Sequence, residues 1–117
     1  MESKTESLLE LAYRYFTRKG LNIDFNVEVD SQDGKKKKVD LVLTKPSGDQ
    51  TGVLVVNWGR SIGVNVLRKL HSIVEGSPLK EAILVGETFS EHSRKFAKDY
   101  NVQLLSKSKI RYSMDEY

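Results

Sequence analysis

Residues 53–64 read VLVVNWGRSIGV, an aliphatic run followed by polar and glycine residues. Four consecutive aliphatic residues, Val53 to Val56, predict a strand that is covered on both faces, as is common at the centre of an α/β sheet. The strand breaks off at Asn57, Trp58 and Gly59. The end of a central strand is a usual location for a binding or catalytic site, so the residues that follow Val56 are the first candidates.

Length and composition limit the class of protein. The chain has 117 residues, 38% of them hydrophobic and 30% charged, which predicts one soluble globular domain over residues 1–117. The absence of cysteine excludes disulfide frameworks, thiolate zinc sites and cysteine nucleophiles. No apolar run approaches the ~20 residues of a membrane span and no signal-peptide core is seen, so we expect no membrane partner and an intracellular, cytoplasmic location. A net charge of +3 is compatible with a polyanionic partner without requiring one.

The first half of the chain predicts a helix followed by three strands. The helix has an apolar face and ends at Gly20; its face residues are Leu8, Leu9, Ala12, Tyr15 and Phe16. Strict alternation over residues 21–30 predicts a strand whose apolar face comprises Leu21, Ile23, Phe25, Val27 and Val29. Turns at residues 31–34 and 46–49 separate this strand from VDLVLTK and from GVLVVNW, which predicts an antiparallel meander.

The second half alternates helices and strands. A helix near Val64–Glu75 is followed by the short strand EAILVG, and Ser90 is the predicted N-cap of a last helix before the strand VQLLS. The inward-facing residues expected on that last helix are Phe96, Ala97 and Tyr100. The order αβββαβαβ predicts an α/β domain, a mixed sheet of about five strands flanked by helices, with a flexible tail over residues 111–117.

These elements, with the sequence motifs they contain, resemble the restriction-endonuclease-like PD-(D/E)xK nucleases, in particular the Mrr-type and archaeal Holliday-junction-resolvase-like branches. The resemblance covers nearly the whole chain and is carried by VDLVL, by VLVVNW, and by FSEHSRKFAKDYNVQLL with the final SKSKI. It implies a restriction-endonuclease-like fold and a nuclease ancestry. It also implies a DNA substrate and a divalent metal, usually Mg²⁺, in active members.

The same resemblance places three residues of this chain in the catalytic motif. Asp40 matches the acidic residue of the second strand and is the candidate metal ligand. Val55 stands where an acid or glutamine belongs, and Asn57 stands where the catalytic lysine belongs. Valine cannot bind a hard cation and a neutral amide cannot supply the missing charge, so the motif is broken as written. We therefore expect a degraded metal site.

Relocated groups remain the alternative to a lost site. Glu28 on the neighbouring strand, and Glu6 and Glu10 early in the first helix, are carboxylates that would restore a metal site in an active Mg²⁺-dependent DNA endonuclease. Arg60 and Arg68 follow the third strand and are candidates for phosphate contacts. Each acid also has a purely structural interpretation: Asp40 would satisfy backbone donors, and Glu28 and Glu10 would be solvated charges.

The lysine run Lys35, Lys36, Lys37 and Lys38 has two interpretations of about equal weight, and the family resemblance favours the second, DNA binding. It is either a solvated hairpin tip that protects an edge strand from aggregation, or a prong that contacts DNA phosphates. Trp58 is expected to pack at the rim of the sheet, and His71 and His92 are not at metal-ligand spacing.

Two functional hypotheses follow from these features. The first is a nuclease-fold protein that binds DNA and is catalytically impaired. The second is a non-catalytic protein-interaction module on the same fold, either a homodimer or a subunit of a larger complex. An exposed apolar patch would favour the second hypothesis, whereas cations grouped around Asp40 would favour the first.

Overall fold

The computed structural model describes residues 7–30 and 33–115. Within these residues the chain forms four helices and five strands. In chain order they are α1 (Leu8–Arg18), β1 (Asn22–Asp30), β2 (Lys36–Thr44), β3 (Gln50–Val55), α2 (Val64–Glu75), β4 (Glu81–Gly86), α3 (Glu91–Tyr100), β5 (Val102–Ser106) and α4 (Lys107–Asp115). None of the described helices is long and apolar enough to cross a membrane.

The strands form one mixed sheet in the order β1-β2-β3-β4-β5. β1, β2 and β3 are antiparallel neighbours, whereas β3, β4 and β5 run parallel. This arrangement confirms the predicted mixed sheet and the order αβββαβαβ, to which the structure adds α4. Residues 111–115, expected in a flexible tail, are helical here, and Ile110 of the same helix is fully buried. Residues 116 and 117 lie outside the described residues.

Helices cover both faces of the sheet and create two hydrophobic cores. The first core lies between the sheet and the pair α1 and α4, and it includes Phe16, Leu41, Val53 and Ile110. The second core lies between the sheet and the pair α2 and α3. It includes Val42, Leu67, Leu70, Leu84 and Ala97. Burial of β3 and β4 from both sides explains why their sequences read as continuous aliphatic runs.

The prediction that β1 has a single apolar face is wrong. Ile23 packs on the α1–α4 core, whereas Val27 packs on the α2–α3 core and Val29 belongs to it. Between them Asn26 adopts a left-handed conformation with φ of 51°. A residue with this φ interrupts the extended backbone and its alternation, so the strand changes the face that it buries. Sequence alternation alone carries no signal for such a switch.

Two side chains assigned to helix cores are in fact exposed. Leu9 is 38% exposed, and Leu11 takes the buried position on α1 instead. Tyr100 is 52% exposed, although Ala97 of the same helix is buried as predicted. The N-cap prediction for α3 is confirmed, because the Ser90 hydroxyl accepts a hydrogen bond from the Ser93 amide at 3.1 Å.

Two loops meet at the end of the sheet where β3 and β4 finish. Ile62 in the β3–α2 loop and Phe89 in the β4–α3 loop form a parallel β-bridge. The Ile62 amide donates to the Thr88 carbonyl at 3.0 Å, and the Ser93 hydroxyl donates to the Ile62 carbonyl at 2.7 Å. The first turns of α2 and α3 are therefore held together at this end.

Candidate functional site

The candidate site begins where β2 and β3 part. The last paired residues are Leu41 and Val53, and just beyond them the Asp40 carboxylate accepts a hydrogen bond from the Val55 amide at 2.7 Å. Asp40 is half-buried. The carboxylate accepts the hydrogen bond that a backbone carbonyl of β2 would accept if β2 and β3 were still paired at Val55. Asp40 thus has a structural partner in the protein itself.

The other two motif positions carry no charge. Val55 is half-buried and packs against the α1–α4 core. Asn57 is exposed and lies two residues beyond the end of β3. Neither of these two positions therefore carries a carboxylate or an ammonium group.

Of the acidic residues considered as relocated metal ligands, the two that the structure describes are either hydrogen-bonded elsewhere or exposed. Glu10 forms a capping box with Ser7: its carboxylate accepts from the Ser7 amide at 3.0 Å, and its amide donates to the Ser7 hydroxyl at 3.1 Å. Glu28 is exposed on β1 directly opposite Lys38. Glu6 lies outside the described residues.

The described metal-ligating side chains do not form a cluster. Mg²⁺ requires near-octahedral oxygen coordination, usually with more than one anionic ligand from protein or substrate. Among residues 7–30 and 33–115, no group of three or more His, Asp or Glu side chains is placed to hold a metal ion. Of the three positions that the resemblance assigns to the motif, only Asp40 carries a carboxylate, and one of its oxygens accepts a hydrogen bond from the Val55 amide.

The lysine run lies at the same end of the sheet, on the β1–β2 hairpin. Lys36 begins β2 and extends roughly 13 Å beyond Asp40 at the usual rise per strand residue. The hairpin offsets part of its own charge: Lys36 pairs with Asp30 at 3.8 Å and Lys37 pairs with Asp33 at 3.9 Å. The Lys35 amide donates to the same Asp33 side chain at 2.9 Å.

The two arginines occupy separate positions at this end. Arg60 lies in the β3–α2 loop with its guanidinium 4.4 Å from the centre of the Trp58 ring, a cation–π contact. Trp58 is 36% exposed, in keeping with a rim position. Arg68 lies on α2 and lines a groove against α3 together with His92 and Lys95.

His92 and Lys95 were not selected from the sequence. Their spacing with Phe96 and Asp99 on α3 does mark one helical face, since residues three and four apart are neighbours on a helix. The sequence could not show that this face meets Arg68 of α2, because that proximity depends on how the two helices pack.

Comparison of the structure with solved proteins shows the same fold in several of them. A protein of unknown function, AF1548, superposes with a TM-score of 0.79 at 14% identity, covering 92% of this chain and 66% of that one. A repair endonuclease from Pyrococcus abyssi gives 0.59 at 17% identity, covering 91% and 49%. EndoMS in its apo form gives 0.55 at 14% identity, covering 91% and 48%. This chain therefore spans two thirds or less of the length of these structures.

The sequence comparisons give the family. No sequence among curated proteins matches the chain. A family model described as restriction endonuclease, the Mrr catalytic domain, matches residues 2–114, which is nearly the whole chain. Together with the shared α/β fold, this match confirms the resemblance inferred from the sequence. The chain belongs to the Mrr catalytic-domain family of restriction endonucleases.

Proposed function

We propose that this domain binds DNA through the end of the sheet where β3 finishes and that it does not cut the DNA it binds. One observation carries the proposal. At the positions that the resemblance assigns to the acid and the lysine of the nuclease motif the chain carries Val55 and Asn57, and the Asp40 carboxylate is hydrogen-bonded to the Val55 amide.

The chemistry of phosphodiester hydrolysis supports the loss of cutting. A hard cation held by carboxylates neutralises charge that develops on the phosphate, and a lysine orients or activates the attacking water. A valine side chain has no donor atoms for a metal, and an asparagine amide is uncharged and does not act as a base. Glu10, a candidate for a relocated ligand, is used in the capping box of α1.

The positions of the cations support retained binding. Lys36 to Lys38, Arg60 and Arg68 lie on elements that meet at one end of the sheet. The ion pairs of Lys36 and Lys37 are exposed and long, and such pairs contribute little stability, so these lysines can exchange aspartate for phosphate. Contacts of this kind position the nucleic acid without reading its sequence.

The experiment is a binding titration with the purified domain. Fluorescence anisotropy of labelled duplex and four-way-junction DNA is followed at several salt concentrations, with Mg²⁺ or with a chelator. We expect binding that weakens steeply with salt and does not depend on metal. The absence of binding to either DNA at low salt would refute the proposal, and so would binding that requires Mg²⁺.

A second candidate function, protein interaction, is favoured by an exposed apolar patch. Leu9, Tyr13 and Phe25 are 38%, 40% and 48% exposed, and the Tyr13 and Phe25 rings lie 5.2 Å apart. The patch spans α1 and the edge strand β1, a location where a second copy of the chain would dock. Light scattering on the wild type and on Phe25→Ser tests it: a dimer that Phe25→Ser dissociates would support this function, and a monomer at high concentration would exclude a homodimer.

A further inference from the structure

An open groove runs between α2 and α3 on the face of the domain that covers the second core. Its volume is about 190 Å³. The side chains that line it include Arg68 from α2 and five residues of α3: His92, Lys95, Phe96, Asp99 and Tyr100. Arg68, His92 and Lys95 are all exposed.

The polar side chains give the groove a positive balance. Arg68 and Lys95 contribute two positive charges and Asp99 one negative charge, and His92 adds ring N–H donor capacity. In the described part of the chain, none of the ion pairs involves Arg68, Lys95 or Asp99. This distinguishes the groove from the β1–β2 hairpin, where Lys36 and Lys37 already face aspartates.

Two aromatic side chains line the groove and pack against each other. The Phe96 and Tyr100 rings stack with centroids 4.4 Å apart and an interplanar angle of 24°. His71 of α2 meets both rings at their edges, 5.9 Å from Phe96 and 5.0 Å from Tyr100. These contacts tie α3 to α2 along the groove.

The groove lining includes residues at the starts of α2 and α3, near the end of the sheet where β3 finishes. Arg68 lies in the second turn of α2, and His92 and Lys95 lie in the first turns of α3. Both helices start directly after the loops that the Ile62–Phe89 bridge joins. A DNA backbone that passes the end of β3 therefore reaches the groove without leaving the surface of the domain.

We infer that the α2–α3 groove binds the phosphodiester backbone of the DNA, with Arg68 and Lys95 as its phosphate contacts. This inference rests on the proposed function. Charge complementarity selects the ligand: two exposed cations that line one groove suit a polyanion, and Asp99 weakens the attraction without cancelling it. The inference adds a second contact surface on α3, beyond the β1–β2 hairpin and the end of β3.

The test compares salt dependence in matched double variants. The logarithm of the association constant falls as the logarithm of the salt concentration rises. Removing both phosphate contacts in R68Q/K95Q should make this slope shallower by roughly 1.8, at about 0.9 per contact. The control R94Q/K98Q removes the same two charges, one arginine and one lysine, from exposed positions on α3 outside the groove lining. Its slope should change by much less. Thermal unfolding of each variant verifies that the fold is retained.

Asp99→Asn should change the affinity for DNA in the opposite direction to R68Q/K95Q. Removing the only carboxylate from the groove lining should tighten binding severalfold at low salt, a gain that misfolding cannot imitate. If the wild type binds DNA but R68Q/K95Q keeps the wild-type slope, or changes no more than R94Q/K98Q, the groove assignment is overturned while DNA binding stands. If the wild type does not bind at low salt, the proposed function fails and the groove assignment fails with it.

Discussion

Replacing Asp40 tests whether its carboxylate has become a structural group. In Asp40→Ala the Val55 amide loses the acceptor that lies 2.7 Å away in a half-buried environment. An unsatisfied buried donor costs about 1–3 kcal/mol of unfolding free energy. At an m-value of about 2 kcal/mol/M, the urea midpoint should fall by roughly 0.5–1.5 M. Asp40→Asn keeps an acceptor oxygen and should lose less.

Urea unfolding in the presence of a chelator measures the effect, with the fluorescence of Trp58, the only tryptophan, as the probe. Asp24→Ala is the control, because Asp24 is an exposed carboxylate on the neighbouring strand and its loss should stay within about ±0.5 kcal/mol. A metal-site carboxylate behaves differently: without metal, removing one member of an acidic cluster relieves repulsion and leaves stability unchanged or higher. That result for Asp40→Ala would refute the structural role.

Three further predictions concern stability. Gly86→Ala should cost about 1–3 kcal/mol, because its β-carbon would overlap the buried Ile62 side chain; Gly59→Ala, with open space around it, is the control in chemical unfolding. Asn26→Val should lower the thermal midpoint by the equivalent of about 1–2 kcal/mol, since a β-branched residue resists positive φ, whereas Asn26→Gly should not. The hydrogen bond from Lys45 lowers the pKa of Glu81 below its ordinary value of 4.5, so the carboxylate stabilises the fold above that pH and loses this contribution as the pH falls through the lowered pKa. The difference in unfolding free energy between the wild type and Glu81→Gln should therefore shrink on acidification, by up to about 1 kcal/mol, and a difference that stays constant would contradict this.

Much of the fold could be predicted because its signals are local. The aliphatic runs of β3 and β4, the apolar stripe of α2 and the Ser90 cap each depend on neighbours within a few residues. The face switch in β1 was missed because it depends on the backbone angle of one residue, Asn26, which has no periodic signature.

The candidate site also combines features that the sequence shows with features that only the structure shows. The absence of charge at Val55 and Asn57 is visible in the sequence, since it is a matter of residue identity at fixed spacing. The hydrogen bond between Asp40 and Val55 joins residues 15 apart in the chain, and the groove joins two helices, so neither could be read from spacing alone. Both depend on tertiary packing.

The most direct test of DNA binding without cutting is a cleavage reaction with the protein in excess over labelled DNA. Wild type and Asp40→Asn are incubated with duplex and four-way-junction DNA in Mg²⁺ and in Mn²⁺, and the strands are separated under denaturing conditions. We predict that both proteins leave every strand intact under conditions where the wild type is bound. Metal-dependent cutting by the wild type that is lost in Asp40→Asn would contradict it and establish an active site built with groups from elsewhere in the chain.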